Sequence, residues 1–418
     1  MARSLAPAEL SSGPTVAYAL QNARYMVPAV LLGDLNMLRC FARSGVPIVV
    51  ASSNAREPVL RSRHAQQRTL IAPFEDTERV LEGLEAIGRT YPARPSLFYG
   101  TDLQLVTIAR HRDRLQRHFR LRLPSTELVE TLVDKSRFGE LARELDLPVP
   151  PTLSSGEIAF PQQVVERIPG PWLIKPNRHD GWHEQPALRK IGPSKALRAD
   201  TPAQLHELFW RVRSRIPHFV IQSFIPGGEE QVYSFHAYMD ENAHVLGQFV
   251  GRKIRTFPRE AGISTYLELV KEPEVVELGN QIVSKLGLIG PVKIDFKRDP
   301  RSGRYYVLEL NARYNLWHYL GSACGVNLAL IAHADLTGEP PPAAADYRTG
   351  VRWLSFGADL RSFLRSYRPS GQIGITGWLA SLQGPKIYDV FAWDDPLPFV
   401  FGTLNYCTAV GKRLLGTR

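Results

Sequence analysis

The spacing of apolar and polar residues divides the chain into blocks of different period. AVLLGD (29–34) reads as a buried strand ending at Gly33. LNMLRCFARSG then places Leu35, Leu38 and Phe41 or Ala42 at helical intervals before a stop at Gly45, and PIVVAS is the next strand. A strand–helix–strand unit of this kind opens a doubly wound α/β domain. A helix near 76–89, a strand SLFYG (96–100) and a helix over 102–119 complete a domain spanning 19–124, after a leader of 18 residues expected to be disordered. No full G-x-G-x-x-G follows the first strand, which argues against a dinucleotide site there.

From 125 onward the pattern is mixed. TELVETLVDKSRFGELARELD is helical with a break near Asp134, and LPVPPTL is a linker because Pro150-Pro151 disfavours helix. WLIKPNR (172–178) is a strand with Lys175 at its polar end, and a helix follows over 202–216. HFVIQSFIPGGEEQVYSFHAYMDENAHVLGQFVGRK alternates as strand, turn, strand. It bends at Pro226-Gly227-Gly228 and again at Asp240-Glu241-Asn242, with Arg252, Lys253 and Arg255 expected on an exposed edge. Further on come a helix near 273–287, a buried helical stretch from NLWHYLG to DLTG, and a loop PPPAAAD. The last segment, 341–418, is rich in Trp, Phe, Tyr and Arg.

The stretch GPVKIDFKRDPRSGRYYVLELNAR (290–313) reads as a hairpin turning at 299–303. Side chains alternate faces along a strand, so Lys293 and Asp295 share one face, as do Glu309 and Asn311. Inward-facing carboxylates are costly unless something pairs them. The residues allow two readings. Two carboxylates, an amide oxygen and a lysine make an oxygen-rich site for a hard cation such as Mg²⁺ held against a phosphate. Alternatively this is a solvated face on which Asp295 and Glu309 pair with Lys293, Lys297 or Arg313.

Composition narrows the field. A chain of 418 residues, 44% hydrophobic and 22% charged, has length for two or three domains with real cores. No apolar run reaches the roughly 18 residues of a membrane span, and MARSLAPAELSSGPTV lacks the apolar block of a signal peptide. Cys40, Cys324 and Cys407 lie far apart, so neither a disulfide framework nor a cysteine metal site is indicated, and a cytoplasmic protein is expected. The net charge of +10 raises anionic partners. Yet RSRHAQQR (61–68) and RHRDRLQRHFRLR (110–122) lack interleaved aromatic platforms and zinc patterns, so solvated basic faces are expected and nucleic acid is not. NRHDGWHEQPALRKIGPSKALRAD carries Lys190 and Lys195 and is either a loop closing over phosphates or an irregular surface loop. Its His179 and His183, four apart, lack the helical surroundings of a metal pair.

The order of the motifs says more than any one of them. Asp134-Lys135, Lys175-Pro176, QSFIPGGEE, the strand bearing Asp295 and then ELNAR resemble the ATP-grasp superfamily over about 30–340. The group resembled is the carboxylate–amine ligases of the D-aspartate ligase type, with more distant similarity to D-alanine–D-alanine ligase and biotin carboxylase. That resemblance implies an α/β pre-ATP-grasp domain and then a two-subdomain ATP-grasp fold over 125–340 (α+β in this catalytic part), its small subdomain at about 150–222. A C-terminal extension over 341–418 follows, whose WDDPLPF is similar to tails in that group. It implies ATP and Mg²⁺ (or Mn²⁺) as cofactors, small-molecule carboxylate and amine (or thiol) substrates, and an acyl-phosphate route. Lys135 and Lys175 would contact ATP phosphates. Gln222, Ser223 and Ile225 would lie on the strand facing the adenine edge, with Gln222 where glutamate is common. Glu229 or Glu230 would accept from the ribose, and Asp295, Glu309 and Asn311 would hold the metal. Lys293, where arginine is common, and Arg313 would face the transferred phosphate, and the resemblance also places basic residues at Arg252, Lys253 and Arg255 facing phosphate or substrate. Two other classes compete: an ATP-binding regulatory module without catalysis, and a basic nucleic-acid or membrane-surface binder. For the latter, LPFVFGTLNYCTAVGKRLLGTR would lie amphipathically on a bilayer, although packing against the first domain is the plainer account. A homo-oligomer is compatible with the sequence.

Overall fold

A computed structural model of the chain describes residues 26–178, 196–260, 262–342 and 346–414. The expected leader, His179, His183, Lys190 and Lys195 lie outside the described residues.

Three sheets organise the molecule. The first comprises β1 (Ala29–Leu32), β2 (Ile48–Ser52), β3 (Gln67–Leu70) and β4 (Ser96–Phe98), all parallel in the order β3-β2-β1-β4. The chain steps outward from β1 to β3 and then crosses to the other side of β1, which is the reversal of a doubly wound sheet. AVLL in β1 is buried at all four positions, as a central parallel strand covered on both faces must be. The basic segment 61–68 keeps Arg61, Arg63 and Arg68 exposed as it runs into β3, an edge strand. One expectation changes here. The single helix expected over 102–119 breaks at His111 (φ −112°, ψ 28°) into Asp102–Arg110 and Arg112–Gln116.

The second sheet holds β5 (Thr152–Ser154), β6 (Trp172–Pro176), β7 (Leu197–Ala199) and β8 (Phe219–Ser223) in the order β5-β8-β6-β7, with antiparallel pairings. It has its own core, in which Val164 and Phe209 pack with Trp172, Ile174, Phe219 and Ile221. β5 lies inside the expected linker: the prolines end just before it, and β8 supplies the ladder partners that make three residues a strand.

The third sheet is the largest: β9 (Val232–Met239), β10 (Val245–Phe257), β11 (Ile263–Leu269), β12 (Gly290–Arg298), β13 (Tyr305–Asn311), β14 (Arg352–Leu354) and β15 (Lys386–Tyr388), ordered β13-β12-β9-β10-β11-β14-β15. Helix Pro273–Leu286 packs so closely that a Cβ on Gly279 would stand 2.5 Å from the Phe235 ring on β9. This sheet shares a continuous core with the first one.

Three further corrections follow from it. The bend at Pro226-Gly227-Gly228 is not a hairpin: β8 stays in the second sheet and β9 enters the third, so the bend carries the chain between them. Arg252 is paired on both sides within β10, Lys253 and Arg255 pair with β11, and none of the three is at an exposed edge. The tail expected as an appended extension contributes β14 and β15 to the third sheet. After these strands the helix Leu397–Leu414 packs on the short helical turn Pro58–Arg61 of the first domain.

Candidate active site

The central hairpin forms as the alternation requires. β12 and β13 pair antiparallel with Lys293 opposite Asn311 and Asp295 opposite Glu309, so the two carboxylates are cross-strand neighbours. On the other side of β12, Asp295 lies opposite Ser234 of β9. Asp295 is only 4% exposed, which rules out a solvated face. Its Oδ2 accepts from Lys293 Nζ (2.8 Å) and Lys253 Nζ (3.3 Å), and its Oδ1 accepts from the Ser234 hydroxyl. Burial pushes this carboxyl upward in pKa, but Lys253, Lys293 and Ser234 outweigh it and hold Asp295 well below the usual carboxylate range. Lys293 is lowered, mainly by burial, although Asp295 opposes the shift. The pairing of Asp295 with Lys293 therefore exists, with Lys253 as a second partner.

A β-bulge brings Lys253 there. The register of β10 against β11 slips between Lys253 and Arg255 and again between Arg255 and Thr256. Lys253 turns into the cleft. Arg255 turns away, 3% exposed, and forks onto Asp359 with Nε–Oδ1 2.7 Å and Nη2–Oδ2 2.8 Å. Thr256 then faces Glu229.

The second sheet forms the facing wall. Lys175 on β6 donates to Gln222 Oε1 on β8 (2.7 Å), and Gln222 Nε2 donates to Thr152 Oγ1 (3.0 Å). Burial first, and then the charges of Lys135 and Lys297, lower the Lys175 pKa to about 8 against the pull of Glu309. Lys135 opens the helix Lys135–Glu144, capped by Asp134, whose Oδ1 accepts from the backbone N–H groups of Ser136 and Arg137. Asn177, just past the Lys175-Pro176 pair, donates to Asp134 Oδ2 (2.7 Å) and accepts from Ser136. Two motifs forty residues apart are thus bolted together, and Lys135 and Lys175 line one cleft.

At the crossing from β8 to β9, Ser223 and Ile225 also line the cleft. The Ser223 hydroxyl donates to Pro169 O (2.7 Å), which fixes the strand. Glu229 is buried, and its Oε1 accepts from Thr256 Oγ1 (2.9 Å) and the Glu260 N–H (2.8 Å). Glu230 is exposed, accepts from the Gly228 N–H, and does not reach the cleft. Lys297 lies 4.6 Å from the centre of the Phe224 ring, its pKa lowered by burial against nearby Glu260 and Glu229.

Arg313 joins the cleft to the first domain. Its Nε donates to Asp102, its Nη1 to Gly100 O (3.1 Å) and its Nη2 to Asn311 Oδ1 (3.1 Å). Gly100 and Asp102 follow β4, at the carboxyl ends of the strands beside the sheet's reversal point, where doubly wound folds present ligands. Asn311 lies behind Glu309 in a small adjoining cavity and not on the main cleft.

The cleft therefore gathers Lys135, Lys175, Gln222, Ser223, Ile225, Glu229, Lys293, Asp295, Glu309 and Arg313, and leaves out Glu230 and Asn311. It also holds Lys253, Thr256 and Lys297. Lys297 continues the 293-295-297 alternation and was legible in it, whereas the position of Lys253 depends on a bulge. Six basic side chains (Lys135, Lys175, Lys253, Lys293, Lys297, Arg313) face four acidic ones (Glu229, Glu260, Asp295, Glu309), a balance that suits a polyanion. Among the described residues no three His, Cys, Asp or Glu side chains form a ready metal cage. The cross-strand carboxylates of Asp295 and Glu309 would suit a hard cation such as Mg²⁺, whereas the Asn311 amide oxygen is taken by Arg313.

No family model matches the chain. Over 249 residues, 58% of its length, it is 25% identical to D-aspartate ligase of Enterococcus faecium (strain Aus0004). It spans 58% of that relative's length. Among solved structures it resembles L-amino acid ligase from Bacillus licheniformis, with a TM-score of 0.56, 16% identity and 74% of each chain covered. It also resembles N5-carboxyaminoimidazole ribonucleotide synthetase, solved as an ADP complex, with a TM-score of 0.59, 15% identity, and 81% of this chain and 85% of that one covered. The fold is that of the ATP-grasp proteins, and the similarity falls in their carboxylate–amine ligase group.

Proposed function

We propose that this protein is an ATP-dependent carboxylate–amine ligase working through an acyl phosphate. The observation that carries the reading is the register of the central hairpin. Asp295 stands opposite Glu309, two positions along from the Lys293–Asn311 pair, and both carboxylates line a cleft whose facing wall supplies Lys135 and Lys175. Similarity to D-aspartate ligase supports the amine-acceptor chemistry.

In this mechanism a substrate carboxylate oxygen attacks the γ-phosphorus of ATP, the bond to the bridging oxygen breaks, and ADP leaves. The amine nitrogen then attacks the acyl carbon, the C–O bond to phosphate breaks, and the amine gives up its proton as inorganic phosphate departs. Such phosphoryl transfer asks mainly for positioning and charge neutralisation. Lys135, Lys175 and Lys297 hold the nucleotide phosphates, with Gln222 orienting the Lys175 ammonium. Lys293 and Arg313 face the transferred group, and Arg313 keeps its orientation through Asp102 and Gly100. Glu229, held by Thr256 and the Glu260 N–H, accepts from the ribose hydroxyls, and Ser223 and Ile225 border the base. Asp295 and Glu309 would hold Mg²⁺ (or Mn²⁺), which neutralises phosphate charge when bound, while Asn311 holds Arg313 from the adjoining cavity.

Calorimetric titration with ATP, with and without Mg²⁺, tests the reading on wild type and on Glu309→Gln. Saturable binding that Mg²⁺ strengthens and the substitution weakens is expected, with ADP released when a matching acid and amine are supplied. Absence of ATP binding in every condition would overturn it.

A further inference from the structure

Among the described residues the helix Leu397–Leu414 meets the molecule along one side and, at Phe399, edge-on against the Phe391 ring (5.5 Å between centres). Phe401 lies under the Arg61 guanidinium (4.4 Å to the ring centre), Gly402 abuts Pro58, and Asn405 Nδ2 donates to Arg56 O (3.2 Å). These three positions fall within an arc of about 100° around the helix. Beyond that arc stand Leu397, Phe399, Val400, Leu404 and Tyr406, each 44–61% exposed, and Trp393, just before the helix, is 89% exposed. A helix lying on a water-soluble protein shows the reverse pattern, with polar residues outward. Six large apolar side chains gathered on one outer face mark an interaction surface.

The surroundings indicate what covers it. Arg43, Arg56, Arg61 and Arg63 are exposed around the helix. The nearby acids are already engaged: Asp394 pairs with Arg43 and lies 3.6 Å from His64, while Asp395 is buried against the Ser62 hydroxyl and the Arg63 N–H. An apolar aromatic face with a basic rim complements an anionic bilayer surface, with Trp and Tyr at headgroup depth and arginines toward the phosphates. A symmetric second copy would bring the same arginine rim against itself. Among the described residues no helix is long and apolar enough to cross a membrane, so the helix would lie in the plane of the interface.

We infer that the face formed by Trp393 and the helix Leu397–Leu414 docks on anionic lipid surfaces. The test is cosedimentation of the full chain with phosphatidylcholine vesicles, with and without phosphatidylglycerol. Wild type is expected to bind the phosphatidylglycerol vesicles at low salt. Leu397→Glu combined with Leu404→Glu should weaken binding at least about tenfold, Trp393→Ala and Arg56→Glu should each weaken it several-fold, and added salt should release the protein. The double variant should keep its circular dichroism and its ATP binding, because neither side chain lines the cleft. Absence of wild-type binding overturns the inference. So does equal binding by the double variant, which would assign binding to general basic charge. A wild-type dimer that Leu404→Glu splits would show that a second copy covers the face. ATP binding is read separately, so loss of the ligase reading leaves the vesicle result standing.

Discussion

The cleft wall around Asp295 and the buried joint around Asp359 are both built on an aspartate held by basic side chains, and they differ in what remains uncompensated. At the joint everything closes. Arg255 forks onto both oxygens of Asp359, Thr265 Oγ1 donates to Oδ1 (3.0 Å), Trp378 Nε1 donates to Oδ2 (2.9 Å), and Ser381 Oγ accepts from Arg255 Nη1 (2.9 Å). One cation meets one anion, and Asp359 has no exposed surface. At Asp295 two lysines share one carboxylate, and four more basic groups line the same space against three other acids. Burying charge is expensive unless its partners are complete. The joint is complete within the protein. The cleft gathers six basic groups against four acids, with Asp102 meeting Arg313 from outside it, and this balance, suited to an anionic ligand, is what separates a binding surface from a structural ion pair when both are built from the same residue types.

The sharpest way to break that distinction is to neutralise each aspartate in turn. Asp295→Asn should lower ADP release about a thousandfold while leaving the melting temperature close to wild type, since the surplus charge there is already tolerated. Asp359→Asn should act the other way: a buried guanidinium without its counter-charge costs about 3–5 kcal/mol of stability. Thermal melting of both variants decides the matter. Equal destabilisation would mean that the cleft is as much a structural network as the joint.

A smaller effect sharpens the cleft side. Lys175 has its pKa lowered to about 8, first by burial and then by Lys135 and Lys297. The free cleft therefore holds this lysine as an ammonium below pH 8 and loses the proton as pH rises through 8. A bound polyphosphate favours the charged form, so nucleotide binding above pH 8 should take up a proton, and affinity should fall as pH climbs. Calorimetry in buffers of different ionisation enthalpy measures that uptake directly. Lys175→Met should reduce it and weaken ATP binding by about tenfold. Uptake unchanged in the variant would assign the titration to another group.

How far the sequence disclosed these two regions follows from the range of the interactions involved. The hairpin was legible because its signals are local: period-two alternation at 293, 295, 309 and 311, and a turn of Asp, Pro and Gly between two apolar runs. The joint was not. Arg255 and Lys253 are two apart, so alternation puts them on one face, and only the slip of β10 against β11 separates them. Their partners come from distant chain, Asp359 for one and Asp295 for the other. The Pro-Gly-Gly bend shows the same limit, because turn chemistry marks a reversal without saying that β8 and β9 will join different sheets. β14 and β15, three residues each, exist because β11 and each other supply their ladders.

The smallest effect tests whether joint and cleft are coupled. Tyr367, in the same tail segment as Asp359, accepts from the Thr256 N–H (3.2 Å), and burial first, then the nearby Glu229 charge, raises its pKa. Ser362 Oγ donates to Thr256 O (2.6 Å), so the tail grips the residue whose hydroxyl holds Glu229. With Glu229 as the proposed ribose acceptor, Tyr367→Phe should leave the cleft formed but the carboxylate less fixed. ATP affinity should fall about three- to tenfold, the size of one lost hydrogen bond. A merely structural loss would weaken every nucleotide equally. Loss through Glu229 should instead vanish with 2′,3′-dideoxy-ATP, which offers that carboxylate no hydroxyl. Calorimetric affinities of the two nucleotides for wild type and Tyr367→Phe form a closed cycle, and a penalty that persists with the dideoxy nucleotide would show that the tail supports the sheet without reaching the nucleotide.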